Sequence, residues 1–262
     1  MRMISLNGMQ VLVGNKNRTN IVVTGSDGFI GTHLVEELKK NLNNNVFEID
    51  RKHGEDLNYL DELLQTHEID IIYHLAAQTS VFNNDVTQVI RDNIIGFVKV
   101  VNLCNLYKIK LIYTSSSTAH PNNVTSIYGL SKLFDEKYAS MYCDFATGVR
   151  LHNVYDDDNP REGTLMWHVL NDDKITLYNN GDNKRHFTHV NDVVKCLINV
   201  SNSTDKLLNC YNPQVQSTKE FVEEHNKYNK EVILLDVVRE FDKQEQVIDE
   251  TIPNIYEKYI KN

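Results

Sequence analysis

A tyrosine and a lysine follow a run of hydroxyl side chains in TSSSTAHPNNVTSIYGLSK, residues 114–132. Tyr128 lies twelve residues after Ser116, and Lys132 lies four positions after Tyr128. Positions i and i+4 share one face of a helix, so the ammonium is expected near the phenol. A free phenol has a pKa of about 10, and a neighbouring positive charge favours the phenolate. This pattern is typical of a site that oxidises an alcohol, with Tyr128 as the base and Ser116 bound to the same oxygen.

A glycine-rich turn indicates a dinucleotide site. The stretch TGSDGFIG places Gly25, Gly28 and Gly31 between a short apolar run and a helical pattern. Such glycines allow a tight turn, close approach of the backbone to a pyrophosphate, and close packing of helix on sheet. Backbone N–H groups at the start of the helix then face the phosphates.

The residues after the second predicted strand bear on the choice of cofactor. Asp50 follows Gly31 by nineteen residues. A carboxylate there accepts both ribose hydroxyls of NAD and repels the 2′-phosphate of NADP. Arg51 and Lys52 follow directly and would instead hold that phosphate, and an aspartate that only caps a turn is a third interpretation. We predict NAD, with NADP as the alternative.

Alternating strands and helices are predicted to position these residues. Apolar strand-like runs lie at 20–25, 45–50, 69–77 and 109–117, and helical patterns lie at 29–42, 57–67, 87–107 and 128–145. Strands that alternate with helices pair in parallel through right-handed crossovers. The predicted fold class is therefore α/β, a Rossmann-type doubly wound parallel sheet with a small C-terminal substrate-binding lobe.

Three regions are predicted along the chain. Residues 1–19 form an N-terminal extension, in which an Asn-Gly pair between apolar residues predicts a β-hairpin, with a disordered leader as the alternative. Residues 20–157 form the NAD-binding core. Residues 158–262 are mainly a substrate-binding lobe, and residues 187–200 return to the core.

Composition limits the partners and the compartment. The 262 residues include 36 acidic and 27 basic side chains, a net charge of −9, and no run of Lys and Arg exceeds two. This argues against nucleic acid or an anionic membrane as the main partner. No apolar run reaches the length of a membrane span, and the first residues lack a signal-peptide pattern. The four dispersed cysteines predict buried, reduced thiols in a cytoplasmic protein without a metal site.

The ordered set of motifs resembles the extended short-chain dehydrogenase/reductase family, in particular its nucleotide-sugar epimerases and dehydratases. The likeness covers residues 20 to about 200, and the set is far more specific than any single motif. It consists of TGSDGFIG, Asp56-Leu57, HLAAQTSV from His74, DNIIG around Asn93, SSS followed by YGLSK, and RLHNVY from Arg150.

The resemblance implies a role for each matching position. The implied cofactor-binding residues are Gly25, Gly28, Phe29, Ile30, Gly31, Asp50, Arg51, Asp56, Leu57, Leu75, Ala76, Ala77, Asn93, Ser115, Tyr128 and Lys132. The implied catalytic residues are Ser116, Tyr128 and Lys132, and the implied substrate-binding residues are Ser80, Ser117, Thr118, Asn153 and Arg185. The implied ligands are NAD and a UDP-sugar, bound by a homo-oligomer. For Arg185, a surface arginine in a loop is the alternative.

The residues after Ser116 leave the reaction open. Members of the family oxidise the sugar at C4 and differ in the fate of the 4-keto intermediate. A 4-epimerase turns this intermediate over and needs no further acid or base, whereas a 4,6-dehydratase needs another acid–base pair. Retaining dehydratases carry Asp-Glu after the catalytic threonine and inverting ones carry Asp-Lys. This chain has Ser117-Thr118, which favours the epimerase.

The short spacing between Ser116 and Tyr128 favours a different reaction. It is similar to that of inverting UDP-N-acetylglucosamine 4,6-dehydratases and of the 3-epimerase/4-reductases of amino-sugar pathways. We therefore predict a UDP-GlcNAc 4,6-dehydratase with C5 epimerisation. His120 is the candidate for the missing acid–base group, because imidazole titrates near neutrality, with a plain loop residue as the alternative. The other candidates are a UDP-sugar 4-epimerase, a 3-epimerase/4-reductase and, from another class, a non-catalytic NAD(P)-binding sensor.

Overall fold

The computed structural model describes residues 2–6, 9–13, 18–54, 57–79, 85–239 and 242–260. Its helices are α1 (Phe29–Lys40), α2 (Leu57–Thr66), α3 (Val86–Val89), α4 (Gly96–Tyr107), α5 (Ile127–Tyr142), α6 (Leu165–Asn171), α7 (Val190–Asn199), α8 (Thr218–His225) and α9 (Tyr256–Ile260). Its strands are β1 (Arg2–Leu6), β2 (Met9–Val13), β3 (Thr19–Thr24), β4 (Asn44–Ile49), β5 (Ile71–His74), β6 (Lys110–Ser116), β7 (Ala146–Leu151), β8 (Val154–Tyr155), β9 (Lys174–Tyr178), β10 (Lys184–Arg185), β11 (Thr188–His189), β12 (Leu207–Cys210), β13 (Gln216–Ser217) and β14 (Glu231–Leu235).

The central sheet has six parallel strands in the order β4-β3-β5-β6-β7-β12. The chain enters at β3, moves outward to β4, and then crosses β3 to continue on its other side with β5. The strand order therefore reverses between β3 and β5, and a crevice opens there at the carboxyl ends of the strands. The predicted α/β class and doubly wound parallel sheet are confirmed.

Apolar residues cover both faces of this sheet, as parallel sheets require. On one face, strand residues such as Val22 and Leu111 pack with Leu60 of α2 and Phe97 of α4, all fully buried. On the other face, α1 and α7 pack against the sheet. The two layers hold the strand ends in fixed positions, which is what a site at those ends needs.

The helix predicted over 87–107 is interrupted. It consists of α3, a π-helical segment at Ile90–Ile95, and α4. The segment contains Asp92 and Asn93, two buried polar residues. A π-helical turn inside a helix often occurs at a functional site, and these two side chains bind residues around the crevice.

The C-terminal lobe has its own small core. Its buried apolar residues are Met166, Val169, Ile175, Leu177, Phe187, Phe221 and Val222. Parallel strands β9 and β14 pair in this lobe, and β10 pairs antiparallel with β13. The chain returns to the central sheet with α7 and then with β12, which lies beyond the predicted range of 187–200. At the N-terminus, β1 and β2 pair antiparallel.

Several properties apply to the described part of the chain. No helix there is long and apolar enough to cross a membrane. Within the same residues, no group of three or more His, Cys, Asp or Glu is arranged to hold a metal ion. All four cysteines are buried free thiols, as predicted.

Candidate active site

A cavity of about 1110 Å³ runs along the carboxyl ends of the central strands and reaches the C-terminal lobe. The predicted site residues that line it are Gly25, Gly28, Phe29, Ile30, Gly31, Asp50, Arg51, Leu57, Leu75, Ala76, Ala77, Ser115, Ser116, Ser117, Thr118, Tyr128, Asn153 and Arg185. Three predicted residues, Asn93, Lys132 and His120, lie outside its lining. Two more, Asp56 and Ser80, lie outside the described residues.

The glycine turn between β3 and α1 has no room for a side chain at Gly25 or Gly31. Gly25 has a φ of +73°, and a Cβ there would lie 2.8 Å from the backbone nitrogen of Ala76. A Cβ on Gly31 would lie 2.0 Å from the carbonyl oxygen of Gly25. The first turn of α1 therefore packs directly on the turn, and its N-terminus opens on the cavity. This narrow turn, which has no side chain at its glycine positions, fits the pyrophosphate of a dinucleotide.

Asp50 both caps a turn and lines the cavity. Its Oδ1 accepts a hydrogen bond from the backbone nitrogen of Lys52 at 3.0 Å, and its Oδ2 accepts one from that of Asp27 at 3.1 Å. A carboxylate has about four acceptor sites, so capping leaves capacity for a ribose diol. The capping alternative and the cofactor prediction are thus compatible.

Arg51 is bound to the π-helical segment. Its guanidinium contacts the buried carboxylate of Asp92 at 2.7 Å, and Arg91 contacts the same carboxylate at 3.0 Å. The Arg51 hydrogen bond, more than burial, determines the pKa of Asp92, which lies well below its ordinary value. This engagement of Arg51 favours NAD over NADP, because a 2′-phosphate would have to compete with Asp92.

Asn93 supports the cavity wall from behind. Its Oδ1 accepts a hydrogen bond from the backbone nitrogen of Gln78 at 2.7 Å. Its Nδ2 donates one hydrogen bond to the carbonyl of Gln78 at 3.0 Å and another to the hydroxyl of Ser131. Asn93 therefore ties the loop after β5, which contains Ala76 and Ala77, to α5. Its direct contact with a cofactor stays a prediction.

The hydroxyl of Ser116 is held by the turn that follows it. The oxygen accepts from the backbone nitrogen of Thr118 at 3.2 Å and from the hydroxyl of Thr118 at 2.9 Å. With both acceptor positions taken, its own hydrogen is available to donate into the cavity. The neighbouring Ser115 donates to Glu136 at 2.6 Å instead.

Tyr128 lies in the first turn of α5 and lines the same cavity as Ser116. Ser126 caps this helix by accepting from the backbone nitrogen of Gly129 at 3.2 Å. A Cβ on Gly129 would lie 2.9 Å from the carbonyl oxygen of Thr118. Glycine thus allows α5 to approach the turn that follows Ser116.

Lys132 is buried. It is 3% exposed, and its ammonium donates to the carbonyl of Thr114 at 3.0 Å and to Asp135 Oδ2 at 3.3 Å. The helical spacing places it on the face of Tyr128, as the sequence indicates. Its partners, however, are a strand carbonyl and a carboxylate that sequence reasoning did not single out.

His120 does not reach the cavity. Its Nδ1 accepts from the backbone nitrogen of Asn122 at 3.1 Å and caps the short helical turn at Pro121–Asn123. Ser117 and Thr118, in contrast, line the cavity. The acid–base role of His120 stays a prediction, and the geometry gives it no support.

The C-terminal lobe contributes a charged end to the cavity. Arg185 is buried, and its guanidinium contacts Asp242 at 2.5 Å and the carbonyl of Lys243 at 2.7 Å. Burial lowers the pKa of Arg185, and Asp242 opposes that effect. Asn153 has a φ of +35° and also lines the cavity. Arg185 is therefore a buried cavity residue and not a surface arginine.

The segment around Asp242 was missed by sequence reasoning. Arg239, Asp242, Lys243 and Gln246 all line the cavity. Asn123, in the turn after Ser116, fastens the segment by exchanging hydrogen bonds of 2.7 and 2.9 Å with the backbone of Val247. These residues form no motif, and only the folded chain brings them to the site.

Comparison with known proteins gives consistent matches. The model of a family described as NAD dependent epimerase/dehydratase matches residues 21–212. A putative UDP-glucose 4-epimerase of Methanocaldococcus jannaschii is 27% identical over 233 residues, covering 72% of this chain and 75% of that protein. A dTDP-D-glucose 4,6-dehydratase of Dictyostelium discoideum is 27% identical over 232 residues, covering 66% of this chain and 53% of that protein. The UDP-glucuronic acid 4-epimerase of Bacillus cereus, solved with UDP-glucuronic acid and NAD, has a TM-score of 0.76 at 21% identity and 93% coverage of both chains, a likeness of fold alone.

Proposed function

Because this chain belongs to the NAD-dependent epimerase/dehydratase family, we propose that it is a UDP-sugar 4-epimerase. One observation carries the choice of reaction. The cavity wall beside Ser116 has hydroxyls at Ser117 and Thr118, where a dehydratase would carry its charged pair. A 4-epimerase needs one group that takes the C4 proton and returns it, and Tyr128 is able to do both.

Three side chains carry out the oxidation in this proposal. Tyr128 takes the proton of the C4 hydroxyl, and Ser116 donates a hydrogen bond to the same oxygen. The positive charge of Lys132, on the same helical face, favours the phenolate form of Tyr128. The chemistry that NAD would supply here is the uptake of hydride from C4 and its return. The residues that would hold it are the glycine turn, Asp50, and Ala76 and Ala77 after β5.

The second half of the reaction needs a wall that accepts either configuration at C4. The residues that line the cavity include short hydroxyls, among them Ser117 and Thr125. A hydroxyl both donates and accepts, so it pairs with the sugar in either orientation. Tyr128 then gives its proton back to the C4 oxygen of the sugar.

The charged end of the cavity is the proposed site of the diphosphate. Arg185 offers a planar fork that suits phosphate oxygens. Arg239 and Lys243 add positive charge along the same wall. Asp242 accepts hydrogen bonds from Arg185 and Arg239, so the diphosphate would compete with this carboxylate. The similarity to the putative UDP-glucose 4-epimerase of Methanocaldococcus jannaschii supports a UDP-sugar as the ligand.

A second candidate is the UDP-GlcNAc 4,6-dehydratase with C5 epimerisation. The short segment between Ser116 and Tyr128 favours it, since two short helical turns at Ser117–Ala119 and Pro121–Asn123 fill most of the connection to α5. Its weakness is the missing acid–base pair. The charged residues Asp242 and Lys243 line the same cavity, but both are already engaged. Asp242 is bound to Arg185, and Lys243 is bound to the carbonyl of Asn122.

A homo-oligomer is also proposed. Large apolar side chains are exposed on α4 and α5, with Leu106 at 71% and Met141 at 70%. Phe134, Tyr138 and Tyr142 form a row of ring contacts along α5. Light scattering coupled to size exclusion tests this: a dimer that dissociates in Met141→Glu supports the proposal, and a monomeric wild type contradicts it.

A substrate panel tests the reaction. Purified protein is incubated with UDP-glucose, UDP-GlcNAc and UDP-glucuronic acid, and products are followed by chromatography and mass spectrometry. A new retention time at unchanged mass supports epimerisation, and loss of one water supports dehydration. A reaction seen only with added reduced cofactor and a 4-keto sugar would indicate the reductase. Bound NAD without any turnover, and no effect of Tyr128→Phe, would indicate a sensor.

A further inference from the structure

A buried carboxylate lies beneath the tyrosine–lysine pair. Tyr128, Lys132 and Asp135 are spaced i, i+4 and i+7 on α5 and therefore share one face of the helix. Asp135 is 1% exposed. A carboxylate that is so deeply buried, next to catalytic machinery, requires an explanation, because burial disfavours its charge.

Only one of the two Asp135 carboxylate oxygens has a hydrogen-bond partner among the described residues. Its Oδ2 accepts from the Lys132 ammonium at 3.3 Å. Its Oδ1 is buried and has no hydrogen-bond partner among the described residues. Burial raises the pKa of Asp135 to about 7, and the charge of Lys132 opposes this rise only in part. The carboxyl therefore gains or loses its charge near neutral pH.

Three other titratable groups lie around the pair. His74 on β5 has its pKa lowered to about 3 by burial and by Lys132, so it is neutral. Tyr113 on β6 has its pKa raised well above the ordinary value by burial, which keeps it neutral as well. Glu136 on α5 is bonded through both oxygens to Arg150 on β7.

We propose that Asp135 is a positioning residue: it holds the Lys132 ammonium beneath Tyr128, and its own charge sets the pH range in which Tyr128 accepts the C4 proton. When Asp135 is neutral, Lys132 presents its full positive charge to the phenol. When Asp135 is ionised, its charge offsets that of Lys132. This inference rests on the proposed function and deepens it.

The size of the effect can be worked out from the helix geometry. Seven residues separate Tyr128 and Asp135, about 10 Å along an α-helix. A unit charge at that distance, in surroundings with an effective dielectric constant of about 20, changes a proton affinity by about one pH unit. Removing the charge of Asp135 should therefore move the acid limb of the pH–rate profile by about one pH unit.

The first test is the pH dependence of kcat on the UDP-sugar that the wild type converts. In Asp135→Asn, the acid limb should move to lower pH by about one unit. Asp144→Asn is the matched control, because Asp144 lies just after α5, is 96% exposed and lies outside the cavity lining; its profile should coincide with that of the wild type. Asp135→Leu, which also removes the charge, should move the limb in the same direction. A uniform loss of kcat with an unmoved limb would overturn the proposal.

A second readout does not depend on turnover. A carboxyl whose folded pKa is raised stabilises the fold fully below its unfolded pKa of about 4 and loses that contribution as pH rises to about 7. The Tm of the wild type minus that of Asp135→Asn should therefore fall over this range. A constant difference would refute the assignment of the proton to Asp135. Wild-type protein that converts no UDP-sugar would instead contradict the proposed function, so the two failures are distinguishable.

Discussion

Glu136→Gln is expected to be among the most destabilising single substitutions near the site. The Glu136 carboxylate receives Arg150 Nε on Oε1 and Arg150 Nη2 on Oε2, both at 2.7 Å, and it also accepts from Ser115. The two side chains of the ion pair, Glu136 and Arg150, are 4% and 6% exposed. Glutamine keeps the size of the side chain but removes its charge and turns one acceptor into a donor that faces Arg150.

The expected cost can be estimated from this burial. Removing one partner of a buried ion pair costs about 3–5 kcal/mol, because the other charge is left uncompensated. For a chain of this size, that corresponds to a fall in Tm of roughly 6–20 °C. The assay is urea unfolding followed by circular dichroism, which gives the free energy of unfolding, together with a thermal scan of the same samples.

Two controls separate the ion pair from other effects. Glu231→Gln breaks the Lys174–Glu231 pair, whose side chains are 57% and 63% exposed, and should cost less than about 1 kcal/mol. The double variant Glu136→Leu/Arg150→Met removes both charges and should recover most of the loss. A loss below about 1 kcal/mol for Glu136→Gln, matching the exposed control, would refute the reasoning.

Three further substitutions probe the two ends of the cavity. Gly31→Ala should weaken NAD binding about 10- to 100-fold by titration calorimetry, because its Cβ would lie 2.0 Å from the Gly25 carbonyl oxygen; unchanged affinity would show that the turn adjusts. Asp50→Ser should reduce the preference for NADH over NADPH in fluorescence titrations by about tenfold, since the carboxylate no longer repels a 2′-phosphate. An unchanged ratio of the two affinities would show that Asp50 does not select the cofactor. Arg185→Gln should weaken UDP binding about 10- to 100-fold, the value of a charged hydrogen bond, and UDP binding at wild-type strength would place the diphosphate elsewhere.

The fold was predictable because its signals are local. Short apolar runs that alternate with helical patterns determine a parallel sheet, and the glycine turn and the spacing of Tyr128 and Lys132 locate the cavity on it. The interruption of the helix at Ile90–Ile95 was not predictable, because the segment IRDNII contains no glycine or proline to mark a break in the helical pattern.

The side-chain partners were not predictable. In the sequence, Asp135 looks like an ordinary acidic residue of an amphipathic helix, and only its burial beneath Lys132 gives it a distinct role. Asp242 reaches Arg185 across 57 positions of the chain, without any motif to mark it. His120, attractive in sequence for its ability to titrate, caps a turn instead. Local sequence patterns determine the secondary-structure elements, whereas tertiary packing determines which side chains contact one another.

The position of a deuterium label tests the central claim most directly. A UDP-hexose that the wild type converts is prepared with deuterium at C4 and incubated with wild-type protein and with Tyr128→Phe. We predict that wild-type product is the C4 epimer, that the label is again at C4, and that Tyr128→Phe is slower by about 10²–10⁴-fold. Product that has lost the label to solvent, product that carries it at C6, or equal rates for the two proteins would contradict C4 epimerisation at this site.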